Sequence, residues 1–214
     1  MKSFEVRLAA ASGIAGPIAL AVYFVLPAFT NWPFAGGTPA ALSAYALDHE
    51  TLFYAGAWFQ ATGTLLSVVF FLSLLALAGA AKRLSGLVLM IGAATLLAVV
   101  LVEGAFLIAV PIAAAAHDAS TVATAFALSN GVFVRVFPMA PASATYLALG
   151  FVLLGSNVLV RPLAYAAIAI GAAFELGGMV AIFSGAAAVA LAVLAPVQAL
   201  WLVAAAINLW RSAP

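Results

Sequence analysis

Six long hydrophobic segments, separated by short polar stretches, make up most of the chain. Each segment is long enough to form a helix that crosses a hydrocarbon core of about 30 Å. The pattern therefore predicts an all-α protein, a polytopic transmembrane helical bundle that forms a single domain over residues 1–214. The first segment is longer than the apolar part of a cleaved signal peptide, so we expect it to be retained. The predicted spans cover residues 8–29, 52–80, 84–110, 130–155, 162–183 and 187–209.

The composition also indicates a bilayer environment. The 214 residues are 68% hydrophobic and 6% charged, whereas soluble proteins carry about 25% charged residues. This chain therefore lacks the polar side chains that would cover a water-facing surface. A formal net charge of +1 argues against nucleic-acid binding. Because the chain has no cysteine, disulfides, thiolate nucleophiles and cysteine-ligated metals are excluded.

The charged residues outside the spans are divided between alternate connections. Asp48, Glu50 and Asp118 fall in the first and third connections, which hold no lysine or arginine. By the positive-inside rule, this division predicts a multi-pass protein of the cell membrane, in a bacterium the inner membrane, with both termini in the cytoplasm. The basic residues fall at the termini and in the second and fourth connections: Lys2, Arg7, Lys82, Arg83, Arg161 and Arg211.

Both outer connections carry the start signal of a helix. Thr38 followed by Pro39 is typical of an N-cap and a first helical position. Asp118 or Ser120 can cap a helix through residues 120–129. We expect two short helices on the outer face, where they would cover the bundle as lids. Ordinary connections with one or two helical turns are the alternative.

Three ionisable residues, Glu103, Arg135 and Glu175, lie inside predicted spans. A charge at the bilayer centre costs about 2.5–3.5 kcal/mol on insertion scales, so such groups normally face the bundle interior and pair with one another. Counted from the predicted outer ends of the spans, the two carboxylates lie about 10–12 Å deep and the arginine about 7–8 Å deep. We therefore expect one Glu–Arg–Glu cluster in the outer half of the bundle.

This expected cluster has a catalytic and a structural interpretation. Arg135 would hold one glutamate ionised while burial favours the neutral form of the other, so that an acid and a base share one site. Glu103, Glu175 and Arg135 are on this interpretation the candidate catalytic residues. The alternative is a Glu–Arg pair that only clamps two helices together.

Small and polar residues form a stripe at helical spacing on the second span. Gln60 lies at about the level of the predicted carboxylates, and we expect it to orient a polar group of a ligand. The fifth span has a ridge of small residues that includes Gly171 and Gly178, although such ridges are usually helix-packing faces. The stripe of the second span consists of Gly56, Gln60, Gly63, Thr64 and Ser67.

Prolines occur inside two of the predicted spans. Pro138 and Pro141 are expected to break or kink the fourth span. On the sixth span, Pro196, Gln198 and Trp201 fall near the middle of the membrane. They would close the floor of a cavity, or Gln198 would only form a hydrogen bond with a neighbouring helix.

Aromatic residues are frequent at the level of Gln60. A wall of rings around an acid would suit an apolar substrate that develops positive charge, through cation–π contacts. Aromatic residues also form belts at membrane interfaces, which is the alternative for some of them. The candidate ligand-binding rings are Tyr54, Trp58, Phe106, Phe133, Phe137 and Phe174.

The two histidines, His49 and His117, lie beside acidic residues in the outer connections. Two histidines with one or two carboxylates can bind zinc. Their spacing does not resemble an HExxH motif, and adjacent residues point in different directions. We therefore expect neither a metal nor another cofactor.

Two stretches resemble a group of uncharacterised bacterial polytopic membrane proteins: AYALDHETLFYAGAWFQATGTLLSVVFFLSLLAL (44–77) and VRPLAYAAIAIGAAFELGGMV (160–180). In that group a short acidic outer loop precedes a glutamine-bearing helix, and a basic loop with a proline opens the fifth span. The resemblance implies the membrane fold and no activity. A looser similarity to small integral-membrane terpene cyclases is limited to Glu103 and Glu175 in a helical bundle, and it implies no residue roles.

Three functional hypotheses follow. The leading one is a pocket in the outer half, built from the second to fifth spans, that binds a lipophilic small molecule and converts it by acid–base chemistry. The second is a proton-coupled transporter of small solutes that uses the carboxylates as a relay. The third is a non-catalytic scaffold subunit whose charges pair with a partner protein. Membrane lipids and a lipophilic molecule are the expected partners of the leading hypothesis.

Overall fold

The computed structural model describes residues 2–25, 29–30, 33, 37–191 and 193–212. In this part of the chain the protein is all-α, and no strand is present. The helices are α1 (Lys2–Val25), α2 (Pro39–Asp48), α3 (Glu50–Leu77), α4 (Leu84–Ala115), α5 (Ala119–Gly131), α6 (Ser143–Leu154), α7 (Arg161–Ala181), α8 (Gly185–Leu191) and α9 (Leu194–Ser212), with two π-helical turns between α5 and α6.

Six helical stretches within the described residues are long and apolar enough to cross a membrane, which confirms the predicted six-span bundle. They are α1, α3, α4, the continuous stretch Ala119–Leu154, α7 and α9. Large apolar side chains remain exposed on the flanks of the bundle, among them Leu87, Ile91 and Leu101 along α4. Such a surface suits lipid, so the chain is a multi-pass membrane protein.

The helix α2 begins at the cap predicted in the first connection. The Thr38 hydroxyl oxygen accepts a hydrogen bond from the N–H of Ala41 at 3.3 Å, and Pro39 occupies the first turn. Leu42 and Ala46 are buried where α2 packs against α4 and α5. We call this side of the bundle the α2 end, and the side where α1 begins and α9 ends the terminal end.

The Asp118 carboxylate, one of the two predicted alternatives, caps α5. It accepts hydrogen bonds from the backbone N–H of Thr121 at 3.0 Å and from the Thr121 hydroxyl at 2.6 Å. These donors hold the pKa of the Asp118 carboxyl below its usual range. The helix then continues beyond the predicted start of the fourth span as far as Leu154, so the outer helix and the span form one stretch of 36 residues.

This stretch widens at the prolines and does not break there. Its π-helical turns are Val132–Val136 and Pro138–Ala142. Proline has no N–H to donate, and its ring clashes with the preceding turn of a helix. A wider turn accommodates both the missing hydrogen bond and the ring. In the first of these turns, the N–H of Phe137 bonds to a carbonyl five residues earlier. The Thr145 hydroxyl donates to the Pro141 carbonyl at 2.6 Å. Irregular backbone of this kind is thus satisfied inside the protein, as a membrane requires.

The sixth predicted span, 187–209, is divided in the structure. The short helix α8 ends at Leu191 and packs against α7, and the long helix α9 begins at Leu194; residue 192 lies outside the described residues. Pro196 occupies the first turn of α9, where its missing N–H costs no hydrogen bond within the helix. Gln198 consequently lies in the second turn of α9, near the start of the helix.

Glycines allow two pairs of helices to approach closely. A Cβ atom on Gly63 of α3 would lie 2.8 Å from the Gly16 carbonyl oxygen of α1. A Cβ atom on Gly171 of α7 would lie 2.6 Å from the backbone nitrogen of Leu147 in α6. Both contacts are closer than any side chain permits, so at these positions the small residues serve helix packing.

The interior of the bundle is apolar on both sides of Glu103. Leu107 belongs to a buried cluster at the α2 end, which α2, α3, α4 and α5 form together. Leu96 belongs to a second cluster further along α4, with Val68 of α3. Glu103 lies on α4 between these two residues, so its carboxyl group is placed between two buried apolar clusters.

Candidate functional site

Glu103 is buried in the bundle, with 2% of its surface exposed. Ser129 of α5 donates its hydroxyl hydrogen to Glu103 Oε1 at 2.5 Å, and the Tyr23 hydroxyl of α1 donates to the same oxygen at 3.5 Å. The Gln60 side chain of α3 lies against the carboxyl group. We call these four residues, which come from four helices, the Glu103 cluster.

Two oxygen atoms of the Glu103 cluster lack a donor. Among the described residues, neither Oε2 of Glu103 nor Oε1 of Gln60 has a hydrogen-bond partner, and both atoms are buried. Buried polar atoms are rarely left in this state because each unpaired group costs about 1–3 kcal/mol. The cluster therefore has unused hydrogen-bonding capacity on both of these side chains.

The structure does not bring Arg135 and Glu175 to Glu103. Arg135 is exposed on the first π-helical turn, and Glu175 is partly exposed on α7. In the described part of the chain, no ion pair within 4.0 Å joins Arg135 to either glutamate. Among the residues that the structure describes, Oε1 of Glu103 has two hydroxyl donors and Oε2 has no donor. The expected Glu–Arg–Glu cluster is therefore replaced by a cluster of neutral partners around one acid.

The length of the fourth helical stretch explains this difference. Glu103 lies twelve residues before the end of α4 at Ala115, which is about 18 Å along the helix. Ser129 lies ten residues after the start of α5 at Ala119, about 15 Å along it, and Arg135 about 9 Å further. Arg135 would lie near the level of Glu103 only if the third span ended at residue 110 and the fourth started at residue 130, as the sequence predicts. Because the helical stretch starts earlier, at Ala119, Ser129 lies at the level of Glu103 instead.

The predicted stripe on α3 faces the bundle interior. Gln60, Thr64 and Ser67 are 3–4% exposed and line one side of an interior cavity of about 40 Å³. This volume is enough for about two or three water molecules. Gln60 thus belongs both to the Glu103 cluster and to the cavity wall. The cavity is also lined by Phe71 of the same helix and by Val100, Phe133, Phe137, Tyr146 and Gln198 of other helices.

A larger groove opens on the flank of the bundle between α1 and α9. Its volume is about 530 Å³, within the range of about 300–1,000 Å³ that small-molecule sites occupy. Gln198 is the one polar side chain among its described lining residues. The groove and the interior cavity adjoin, because both are lined by Leu20, Phe24, Phe133, Gln198 and Leu202.

Gln198 and Trp201 of α9 have different roles. Gln198 lines the groove, the interior cavity and a third space of about 20 Å³, so it lies where these spaces meet. Trp201 is 4% exposed, and its Nε1–H donates to the Leu163 carbonyl of α7 at 2.8 Å. Gln198 therefore lines a cavity wall, as one of its two alternatives predicted, and the hydrogen bond of Trp201 to a neighbouring helix was not expected from the sequence.

The candidate aromatic residues are divided between the interior and the lipid-facing surface. Phe133 and Phe137 line the cavity, and Phe174 lines the small space beside it. Tyr54 and Trp58 are 38% and 61% exposed on α3, which fits the alternative of an interfacial belt. The last candidate, Phe106, is partly buried and lies outside the described walls of the cavity.

Three residues of the site were not expected from the sequence. Tyr23 lies in an apolar segment. A tyrosine hydroxyl inside a bundle needs a hydrogen-bond partner, and this was the signal in the sequence that could have pointed to it. Ser129 fell in a predicted outer connection, so no pattern placed it in the membrane. Tyr146 is 1% exposed, and its ring contacts Phe71 and Trp201 with centroids 5.5 and 5.6 Å away. Its position in the cavity wall depends on the packing of four helices.

Comparison with known proteins gives no assignment. The sequence matches no protein-family model, and neither a curated protein nor a solved structure matches it significantly.

Proposed function

We propose that this protein binds a lipophilic small molecule from the bilayer, with the apolar body of the ligand in the groove between α1 and α9. The observation that carries this proposal is the groove of about 530 Å³ on the lipid-facing flank, which adjoins an interior cavity with a polar wall. A groove that only packed lipid tails would need no polar side chain. Gln198 lies where the two spaces meet, and it is 9% exposed.

The polar end of the ligand is held between two glutamines. Gln198 faces it from α9, and Gln60 faces it from α3 across the interior cavity. A carboxamide both donates and accepts hydrogen bonds, so this pair suits a hydroxyl or carbonyl group. The interior cavity of about 40 Å³ has room for such a group but not for the apolar body. The ligand is therefore an amphiphile with a small, uncharged polar end.

Glu103 is the candidate proton donor or acceptor for conversion of this ligand. Its carboxyl group contacts Gln60, which lines the cavity, whereas Glu103 is not among the lining residues described. Arg135 and Glu175, which do not reach the cluster, have no part in this proposal.

Two observations would favour the alternative functions. Proton flux into proteoliposomes coupled to a solute would favour transport over conversion, and a stoichiometric partner protein would favour a scaffold.

Both termini lie in the cytoplasm of a bacterial cell under this proposal. Asp48, Glu50 and Asp118 lie at the α2 end, whereas Arg83 and Arg161 lie at the terminal end, and the positive-inside rule assigns the basic side to the cytoplasm. The natural chain has no cysteine, so single cysteines at positions 118 and 212 can be tested in intact cells. A membrane-impermeant maleimide should label position 118 and leave position 212 unlabelled; the reverse pattern contradicts this orientation.

Extraction of small molecules from the purified protein tests whether it binds a lipophilic ligand. Organic extracts are analysed by mass spectrometry for the wild type and for Ala199→Trp, which places a large side chain in the groove. Ala98→Trp on the exposed face of α4 is the matched control. We expect a molecule that copurifies with the wild type and the control and is depleted in Ala199→Trp. Equal amounts of every extracted lipid in all three proteins contradict the proposal.

A further inference from the structure

We infer that Glu103 and Gln60 form a buried proton-binding site, in which the neutral Glu103 carboxyl group donates a hydrogen bond from Oε2 to Oε1 of Gln60. This deepens the acid–base part of the proposed function and rests on it only for the fate of the proton. The site itself exists before a ligand binds. Its starting point is the pair of buried oxygens that lack a donor in the described structure.

No positively charged group faces Glu103 among the described residues. The surrounding helices contribute Tyr23 from α1, Gln60 from α3 and Ser129 from α5. Tyr23 is the titratable member of this set, and its hydroxyl is neutral. Arg135, on the first π-helical turn, is exposed. An ionised carboxylate that is 2% exposed would have no counter-charge here, a state that membrane proteins avoid.

The two oxygens of Glu103 have different surroundings. Oε1 accepts hydrogen bonds from the hydroxyls of Ser129 and Tyr23, which use the two lone pairs of a carbonyl oxygen. Within the described ranges, Oε2 has no donor, and neither has Oε1 of Gln60. A proton on Oε2 turns that atom from an acceptor into a donor. One proton then satisfies both unpaired oxygens, and the acid becomes neutral.

Gln60 gives this proton a route to the cavity, because its side chain lies against Glu103 and also lines the cavity. A ligand whose polar end displaces the Gln60 carboxamide would meet the acid directly. The O–H bond of Glu103 would then break, and a new bond would form between the proton and a lone pair of the ligand. The electron pair stays on the carboxylate, which the hydroxyls of Ser129 and Tyr23 stabilise, and the positive charge resides on the ligand.

Infrared spectroscopy tests this assignment directly, since the carbonyl stretch of a protonated carboxyl group absorbs apart from carboxylate bands. The purified ligand-free protein is measured at neutral pH in an ester-free detergent, in H₂O and in D₂O. We expect an acid band that shifts on deuteration, disappears in Glu103→Gln and persists in Glu175→Gln. Loss of a carboxylate band in Glu103→Gln, with no change in the acid region, overturns the proposal.

A second pair of variants tests the role of Gln60. Gln60→Met removes the acceptor at similar size, so the acid band of Glu103 should shift to higher wavenumber. Gln198→Met changes a glutamine of the same cavity outside the Glu103 cluster and should leave the band unmoved. If the acid band does not shift in Gln60→Met, the proposed hydrogen bond is contradicted. This test does not require Glu103→Gln to fold. An acid band in a protein that copurifies with no ligand supports this site and contradicts only the ligand proposal.

Discussion

Ser129 and Glu103 are joined by a hydrogen bond of 2.5 Å between α5 and α4. The bond connects the helix that Asp118 caps with the helix that carries the buried acid. Because α5 runs without a connection into the fourth span, Ser129 lies inside the bundle at the level of Glu103. The position of Ser129 decides which residues surround the acid. Ser129 takes the place beside Glu103 that the sequence predicts for the guanidinium group of Arg135.

Replacing Ser129 by alanine should destabilise the protein. The change removes one of two hydroxyl donors from Glu103 Oε1, and loss of a buried hydrogen bond of this kind costs about 1–3 kcal/mol. Thermal unfolding in detergent measures the effect. Ser73→Ala is the control, since that hydroxyl only bonds to a carbonyl of its own helix. Equal unfolding temperatures for the two variants would show that the bond to Glu103 contributes nothing.

The contact between α1 and α3 should not tolerate a methyl group at Gly63. A Cβ atom there would lie 2.8 Å from both the Gly16 carbonyl oxygen and Leu20 Cγ, so Gly63→Ala forces the helices apart and should cost about 1–3 kcal/mol. Gly56→Ala is the matched control on the same helix, because its nearest neighbour would be 3.5 Å away. Unfolding of both variants in parallel checks this. A Gly63→Ala protein as stable as the control would contradict the close approach.

The hydrogen bond of Trp201 is expected to stabilise the contact between α9 and α7. Trp201→Phe keeps an aromatic ring but removes the donor to the Leu163 carbonyl, 2.8 Å away, and should lower the free energy of unfolding by about 1 kcal/mol. Trp58→Phe changes a tryptophan that is 61% exposed and should have little effect. The expectation fails if Trp58→Phe is the more damaging change.

Asp118 should make the stability of the protein depend on pH in the acidic range. The hydrogen bonds from Thr121 hold the pKa of this carboxyl below its usual range in the folded state. Its contribution is therefore fully present above the unfolded pKa of about 3.9 and is lost as the pH falls through the lower folded value. Asp118→Asn keeps an acceptor at the cap and does not titrate.

The test compares the unfolding temperatures of wild type and Asp118→Asn over a series of pH values. Other acidic groups affect both proteins equally, so the difference between them reports Asp118. We expect the advantage of the wild type to shrink as the pH falls below about 4. Parallel curves down to the lowest pH would show that the cap does not titrate as described.

Much of the fold could be predicted because it follows from local properties of the chain. Apolar segments of about 20 residues must form helices in lipid, where every backbone group needs a partner. The cap bonds at Thr38 and Asp118 join residues three positions apart. The cap at Thr38 was therefore predicted, and the one at Asp118 was one of two predicted alternatives. The interior position of Gln60 follows from the helical spacing of the stripe on α3.

The composition of the site could not be predicted in the same way. The level of Arg135 depends on the start of the fourth helical stretch at Ala119, which is earlier than the start at residue 130 that hydropathy predicts. The groove depends on how α1 lies against the second part of a divided sixth span. Trp58 and Phe133 are both aromatic residues inside apolar segments, yet one is 61% exposed and the other lines the cavity.

The sequence by itself determined that this protein crosses a membrane six times and buries at least one carboxyl group. Both conclusions follow from the cost of placing polar groups in hydrocarbon, which acts on each segment separately. Only the tertiary structure decided that Tyr23, Gln60 and Ser129 surround Glu103. Which side chains meet depends on helix start points and rotations, and these are set by packing between segments distant in the chain.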